Sequence, residues 1–232
     1  MRKEYIESLS ALNKSFLDML KESRVALQNA IQSLKDKKLV ENYNFKNLNK
    51  KFQLWEEETE KKIFRLIALQ GPVSSDLRLM LGILKSTNDV KRVVNTSQRI
   101  AKVIKRYSTH ENISFNPDVV VLETFNEMGI ILLKMLDEII TVFETGEKLS
   151  HERAIEIQQR LIREDDDVDS LFKDTIKKLI KIIQEQIDSK KQAKLIADSL
   201  LMARHMERIG DHLCNIAERI LYIETGDYFH IY

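Results

Sequence analysis

Four carboxylates carry the strongest chemical signal in this chain. Glu207 and Asp211 are four residues apart, and so are Asp165 and Asp169. On a helix that spacing turns each pair through only about 40°, onto one face. Met206, Ile209, Leu213, Ile216 and Ile220 fall on one side of the later segment, and Arg204, Glu207, Asp211, Asn215 and Glu218 form a polar row opposite. Asp165 and Asp169, in the run Glu164-Asp165-Asp166-Asp167-Val168-Asp169, border the apolar row of Leu161, Val168, Phe172, Ile176 and Leu179. Carboxylates at the margin of a packing face are costly to desolvate unless an arginine or a metal ion meets them. Arg160, Arg163 and Arg204 are the candidate arginines. If the partner is a metal, oxygen ligands from two helices suit Mg²⁺, Mn²⁺, Ca²⁺ or iron better than a soft-ligand zinc site. The plain alternative is that both rows are solvated helix faces.

Two neighbours of these acids sharpen the picture. Gly210 lies within the helix, where glycine costs about 1 kcal/mol relative to alanine, and that cost suggests close approach of another backbone or a ligand. His212 lies about 140° around the helix from Glu207, which makes it a structural residue. No Glu-x-x-His pair of the ferritin-like di-iron kind occurs.

The elements that must position these residues are long helices. The 232 residues include only six Gly and two Pro, so breaks are few and an all-α fold is expected. Three and four-residue apolar spacing, beginning with Ile6, Leu9, Leu12, Phe16, Met19 and Leu20, predicts a first helix over 4–34. A turn at Lys35 to Lys38 follows. The second helix runs over 45–69 and stops at Gly71-Pro72; the third begins after Ser74-Ser75, with Asp76 in its first turn, and runs to 107. The non-periodic segment from Ser108 to Pro117 is the best domain boundary, with Asn116 and Pro117 as a helix start signal. Helices over 118–143, 151–189 and 192–223 complete the set, with Gly146 and Gly226 as stops.

The halves align at an offset of about 116 residues. Val93 falls on Ile209, Ile100 on Ile216, Ala101 on Ala217, Leu79 on Leu195, Leu84 on Leu200 and Arg92 on Arg208. Two tandem three-helix bundles related by internal duplication follow, six long helices in all, with domains at 1–108 and 117–226.

Composition excludes several function classes. With 37 basic and 36 acidic residues the net charge is +1, without the basic excess of a general nucleic-acid binder. A single Cys214 allows no intramolecular disulfide and fits a reducing compartment. The start, Met1-Arg2-Lys3-Glu4-Tyr5, lacks a signal-peptide apolar run, and no stretch approaches the roughly 18 apolar residues of a spanning helix. These features point to a cytoplasmic protein that meets membranes only through partners. No Gly-rich phosphate loop and no nucleophile in a recognisable context occurs, so a non-enzymatic role is expected.

Three segments carry a family resemblance. Glu-Arg-Ile-Gly-Asp-His-Leu-Cys-Asn-Ile-Ala-Glu from Glu207 resembles the signature helix of the PhoU family, accessory and regulatory proteins of bacterial and archaeal phosphate uptake. The segment from Arg65 to Arg78 resembles that family's join between second and third helices, and Asp165 to Leu171 its fifth-helix acidic motif. The resemblance implies a metal site, with iron or zinc favoured and Mg or Mn as further options, at Asp165, Asp169, Glu207 and Asp211, with Asp166 and Asn215 as secondary members. It implies a homodimer that limits phosphate uptake by binding the phosphate ABC transporter's ATPase subunit and a sensor histidine kinase. The first half departs from the pattern. The family's third-helix acids fall on Lys91 and Asn95, and the second-helix acidic motif falls on Asn49, Lys50, Lys51, Phe52 and Gln53. Asp89 alone remains there, so a metal site is expected in the second half only. The rival readings are a metal-dependent enzyme or metal store, and a metal-free helical scaffold.

Overall fold

A computed structural model describes residues 2–36, 39, 43–108, 118–145, 149–184 and 190–231. Six long helices account for almost all of them: α1 (Arg2–Gln32), α2 (Phe45–Gln70), α3 (Ser74–Ser108), α4 (Asp118–Thr145), α5 (His151–Gln184) and α6 (Lys190–Thr225). No strand occurs among the described residues. The expected boundary segment at 109–117 with Asn116 and Pro117, the stop at Gly146 and the end of the fifth helix at 185–189 lie outside the described residues.

Local chemistry sets the ends that are seen. The Asn44 side chain accepts the Asn47 backbone N–H at 3.1 Å and caps α2. Gly71 closes α2 with φ 52°, a left-handed conformation that glycine adopts without a side-chain clash, and Pro72 prevents continuation. The Ser150 hydroxyl accepts the Arg153 N–H at 3.2 Å at the start of α5. α3 begins at Ser74 itself, earlier than expected, because the Val73 carbonyl accepts from Leu77 at 2.9 Å. Tyr5 donates to Asp76 at 2.7 Å and ties α1 to that first turn of α3.

Helices α1–α3 pack as one bundle and α4–α6 as another, and the bundles join side by side through α3 against α6 and α1 against α4. A single cluster of buried side chains draws on all six helices, from Phe16 and Phe52 through Val93 to Phe125, Val168 and Ile209. Ile6, expected in the apolar row of α1, is exposed, while Leu12, Phe16, Met19 and Leu20 are buried. α3 and α6 make the most extensive helix pair and run antiparallel. Gly82 lets them close, since a methyl at that position would meet Ile223 Cδ1 at 2.4 Å. Gly129 does the same for α4 against Ile31 of α1, at 2.7 Å.

Charge then fixes the register of the α3–α6 seam. Asp89 of α3 is buried, 5% exposed, and meets His212 Nδ1 of α6 at 2.9 Å and the Arg219 guanidinium, which also donates to the Lys85 carbonyl at 3.0 Å. Toward the other end, Arg106 of α3 forks onto Asp198 of α6 at 2.5 and 3.2 Å. Burial alone would raise the Asp89 pKa, but the hydrogen bonds and charges of His212 and Arg219 outweigh it and hold the carboxyl below its ordinary value. His212 is thus structural, as its place on the helix implies. Between α1 and α4, Arg24 forks onto Asp137 at 2.5 and 3.0 Å.

Removing one partner of a buried pair leaves its counterpart desolvated and unpaired. Asp89→Ala is therefore expected to cost about 3 kcal/mol of unfolding free energy in urea titrations at neutral pH. The Asp89 contribution is present in full above its ordinary pKa of 3.8 and is lost as pH falls through the lower folded value. The gap between wild type and variant should close at acid pH.

Candidate functional site

The acidic face lies where α5 packs against α6. Asp165 and Asp169 come from α5 and Glu207 and Asp211 from α6, and all four are half-buried. They sit there because Leu161 and Val168 of α5, and Met206, Ile209 and Leu213 of α6, turn into the core and leave the acids at the edge of the contact. Gly210 makes the approach possible. A methyl at Gly210 would stand 2.8 Å from Asp165 Oδ1, with Leu132 and Val168 next nearest at 3.7 and 3.8 Å. The close neighbour expected at this glycine is a carboxylate of the other helix, neither a backbone nor a ligand.

The four acids feel one another. Asp165 is pushed up from 3.8 to about 6, by burial first and then by the charges of Asp169, Asp211 and Asp166, against a lowering hydrogen bond from Cys214. Glu207 is raised by burial, Asp211 and Asp169 against the lowering charge of Arg204, and Asp211 by burial and Asp169 against the lowering charges of His212 and Arg204. Buried like charges that raise each other's pKa mark a place where negative charge is under-neutralised. Cys214 is buried, and burial followed by the Asp165 charge drives its thiol far above the ordinary range, which keeps it protonated and makes it a donor to Asp165.

Cations from the protein answer part of this charge. Arg204 pairs with Glu207 Oε1 and rests over the Phe172 ring at 5.9 Å, and Lys173 reaches Asp169 at 3.3 Å. Of the other candidate arginines, Arg160 pairs with Glu138 at 3.0 Å and Arg163 donates to the Gln159 carbonyl at 3.1 Å. Glu207 Oε2 is buried with no hydrogen-bond partner. Asp166 is exposed and Asn215 half-buried.

Hard, oxygen-only donors, mutually raised pKa values and an orphaned buried oxygen suit a metal ion in chemistry. As the side chains stand, however, no three His, Cys, Asp or Glu among the described residues gather closely enough to hold an ion. Arg204 and Lys173 draw Glu207 and Asp169 toward themselves, so ligation would require these exposed cations to swing aside.

Glu164 escaped sequence reasoning. It is buried and pairs with Lys134 of α4 at 2.7 Å, and its charge adds to the burial that raises the Glu138 pKa. The signal was available: Glu164 falls between Leu161 and Val168 in the apolar row, inside a run read as solvated or metal-facing.

At the same level of the first bundle the acids are absent. Asn49 and Gln53 of α2, and Lys91 and Asn95 of α3, occupy the positions matched by offset to Asp165, Asp169, Glu207 and Asp211. They line an open cleft of about 680 Å³ between the two helices. Asn49 donates to Gln98 at 2.6 Å and Lys91 pairs with Glu56.

Comparison with known proteins gives one answer throughout. The PhoU domain matches residues 16–104 and 125–220. A phosphate-specific transport system accessory protein PhoU homolog of Streptococcus pneumoniae is 28% identical over 232 residues, spanning 98% of each chain. A PhoU homolog of Clostridium acetobutylicum is 31% identical over 172 residues, 74% of this chain and 71% of its own length. The crystal structure of the phosphate transport system regulatory protein PhoU from Streptococcus pneumoniae superposes with a TM-score of 0.77 at 26% identity, over 97% of this chain and 99% of that one. PhoU from Pseudomonas aeruginosa, 20% identical, shares the fold with a TM-score of 0.81.

The raised Asp165 pKa has a signed consequence for metal-free protein. A carboxyl whose folded pKa exceeds 3.8 penalises the fold when ionised, so its penalty is present above about 6 and relieved as pH falls below that value. Asp165→Asn, which keeps an acceptor for Cys214, is expected to raise the thermal midpoint near neutral pH. The difference from wild type should shrink toward pH 5. A variant less stable than wild type at neutral pH would contradict this.

Proposed function

The chain belongs to the PhoU family, and from that premise we propose that it limits phosphate uptake when phosphate is plentiful, as a non-enzymatic regulator. Its place is in the regulation of phosphate transport, in association with the transport machinery. More specifically, it binds the ATPase subunit of the phosphate ABC transporter and the cytoplasmic part of a sensor histidine kinase, works as a homodimer in the cytoplasm, and reaches the membrane through these partners. The observation that carries this reading is similarity along nearly the whole chain to a phosphate transport regulatory protein of known structure. No helix among the described residues is long and apolar enough to cross a membrane, which accords with docking through partners.

Within this role we assign the α5–α6 acids to a cation, iron or zinc by family resemblance and Mg or Mn by donor hardness, with Asp165, Asp169, Glu207 and Asp211 as ligands and Asp166 and Asn215 at its margin. The under-neutralised charge and the orphaned Glu207 oxygen support it. A metal-free docking surface is the second reading, and the Arg204–Glu207 and Lys173–Asp169 pairs favour it. A metal-dependent enzyme finds less support, because the general bases the sequence offers at this face are the carboxylates already assigned as ligands.

Affinity purification of the tagged chain from its native cells, grown in phosphate-rich medium, tests the regulatory reading. Recovery of the transporter's ATPase subunit and the kinase is expected, together with unrestrained phosphate uptake in cells lacking the gene. Recovery of neither partner, with uptake unchanged by the deletion, would overturn it.

A further inference from the structure

We propose that the cleft between α2 and α3 is an anion site, one that takes a compact, multiply charged oxyanion of the phosphate class. Charge is spread unevenly along this cleft. Asn49 bonds Gln98 and Lys91 pairs with Glu56, so α2 and α3 run antiparallel and their registers are fixed. That register brings Lys46 and Lys50 of α2 beside Lys102 of α3 at one end, and leaves Glu56, Glu57 and Lys91 at the other.

The two ends differ in kind. At the far end Lys91 is neutralised by Glu56, with both side chains about three-quarters buried, at 24% and 28% exposure. At the near end no carboxylate among the described residues pairs with Lys46, Lys50 or Lys102 in any hydrogen bond or ion pair the structure contains. Three lysines line one opening without a carboxylate partner there, so a multiply charged anion would meet positive charge that no acid neutralises. The N-terminus of α2, capped at Asn44, adds its partial positive charge at the same end.

The walls narrow the ligand class. The cleft of about 680 Å³ is lined wholly by lysine, asparagine, glutamine and glutamate side chains. Without an aromatic or apolar side chain it offers nothing for a nucleobase to stack on and nothing to hold an acyl chain. Lysines bind phosphate as point charges, and amide N–H groups from Asn49 or Asn95 can add directional donors once an oxygen acceptor is present. Orthophosphate and pyrophosphate share this chemistry, and pyrophosphate has the reach to touch lysines on both helices. The matched positions of the second bundle carry carboxylates, so the anion site belongs to the first bundle alone.

Equilibrium dialysis of the full chain against radiolabelled orthophosphate and pyrophosphate, at constant physiological ionic strength, tests this directly. Saturable binding of one or both is expected, with pyrophosphate the tighter. Lys50→Gln/Lys102→Gln should weaken it roughly tenfold or more, while Lys177→Gln/Lys181→Gln, exposed on α5, should leave it unchanged. All four lysines are exposed, so thermal midpoints should stay near wild type. Absence of saturable binding to either anion overturns the proposal, as does binding that survives the Lys50/Lys102 change or is equally lost in the α5 control. Capture of an acidic peptide without capture of either anion would overturn it too, in favour of a protein-docking cleft.

Discussion

The buried carboxylate of Asp89, held by His212 and Arg219 from the other half of the chain, is the interaction on which the rest of this structure depends. A charge in that position is tolerable only if both partners arrive, so the α3–α6 seam has one satisfactory register. Gly82 lets the two helices come close enough for the pairs to form. The Arg106–Asp198 fork locks the opposite end of the same seam. With two long helices fixed against each other, each is left with one further face to offer its own bundle.

Those further faces carry the chemistry. α3 turns Lys91 and Asn95 toward α2, and α6 turns Glu207 and Asp211 toward α5. Asp89 stands two residues from Lys91, and His212 directly follows Asp211, so the seam residues and the cleft residues are set by the same turns of helix. The α2–α3 cleft and the acidic face share a frame and differ in the side chains at matched positions. In the second, packing at Gly210 presses Asp165 against α6, and burial raises its pKa because a carboxylate there gives up hydration without a full complement of cations. In the first, amides and ammonium groups replace the acids.

Much of the frame was legible in the sequence, because long amphipathic helices announce themselves through apolar spacing and few breaks. Gly71 with Pro72 and Gly226 marked ends for reasons local to the backbone. The six-helix order and the duplication followed from the same patterns. Asp165 and Asp169 were legible as acids bordering their helix's apolar row, whereas Glu207 and Asp211 were placed opposite theirs and stand half-buried at its edge in the fold. What the sequence hid were contacts between distant residues. Asp89 looked like a leftover acid of a decayed site, because its partners lie more than a hundred residues away on a helix that only the folded chain brings near. Gly210 signalled a close neighbour without revealing that it was Asp165. Glu164 was masked by the acidic run around it, although its place in the apolar row marks it as buried.

The central claim is that the second bundle has kept a cation-binding face while the first has lost it. Elemental mass spectrometry of purified protein, wild type beside Glu207→Ala/Asp211→Ala, tests it most directly. The account predicts about one metal ion or more per chain in the wild type, and its loss in a double variant that still folds. No metal in either protein, even after incubation with iron, zinc, manganese and magnesium salts, would contradict it and leave the acidic face as a surface for partner proteins.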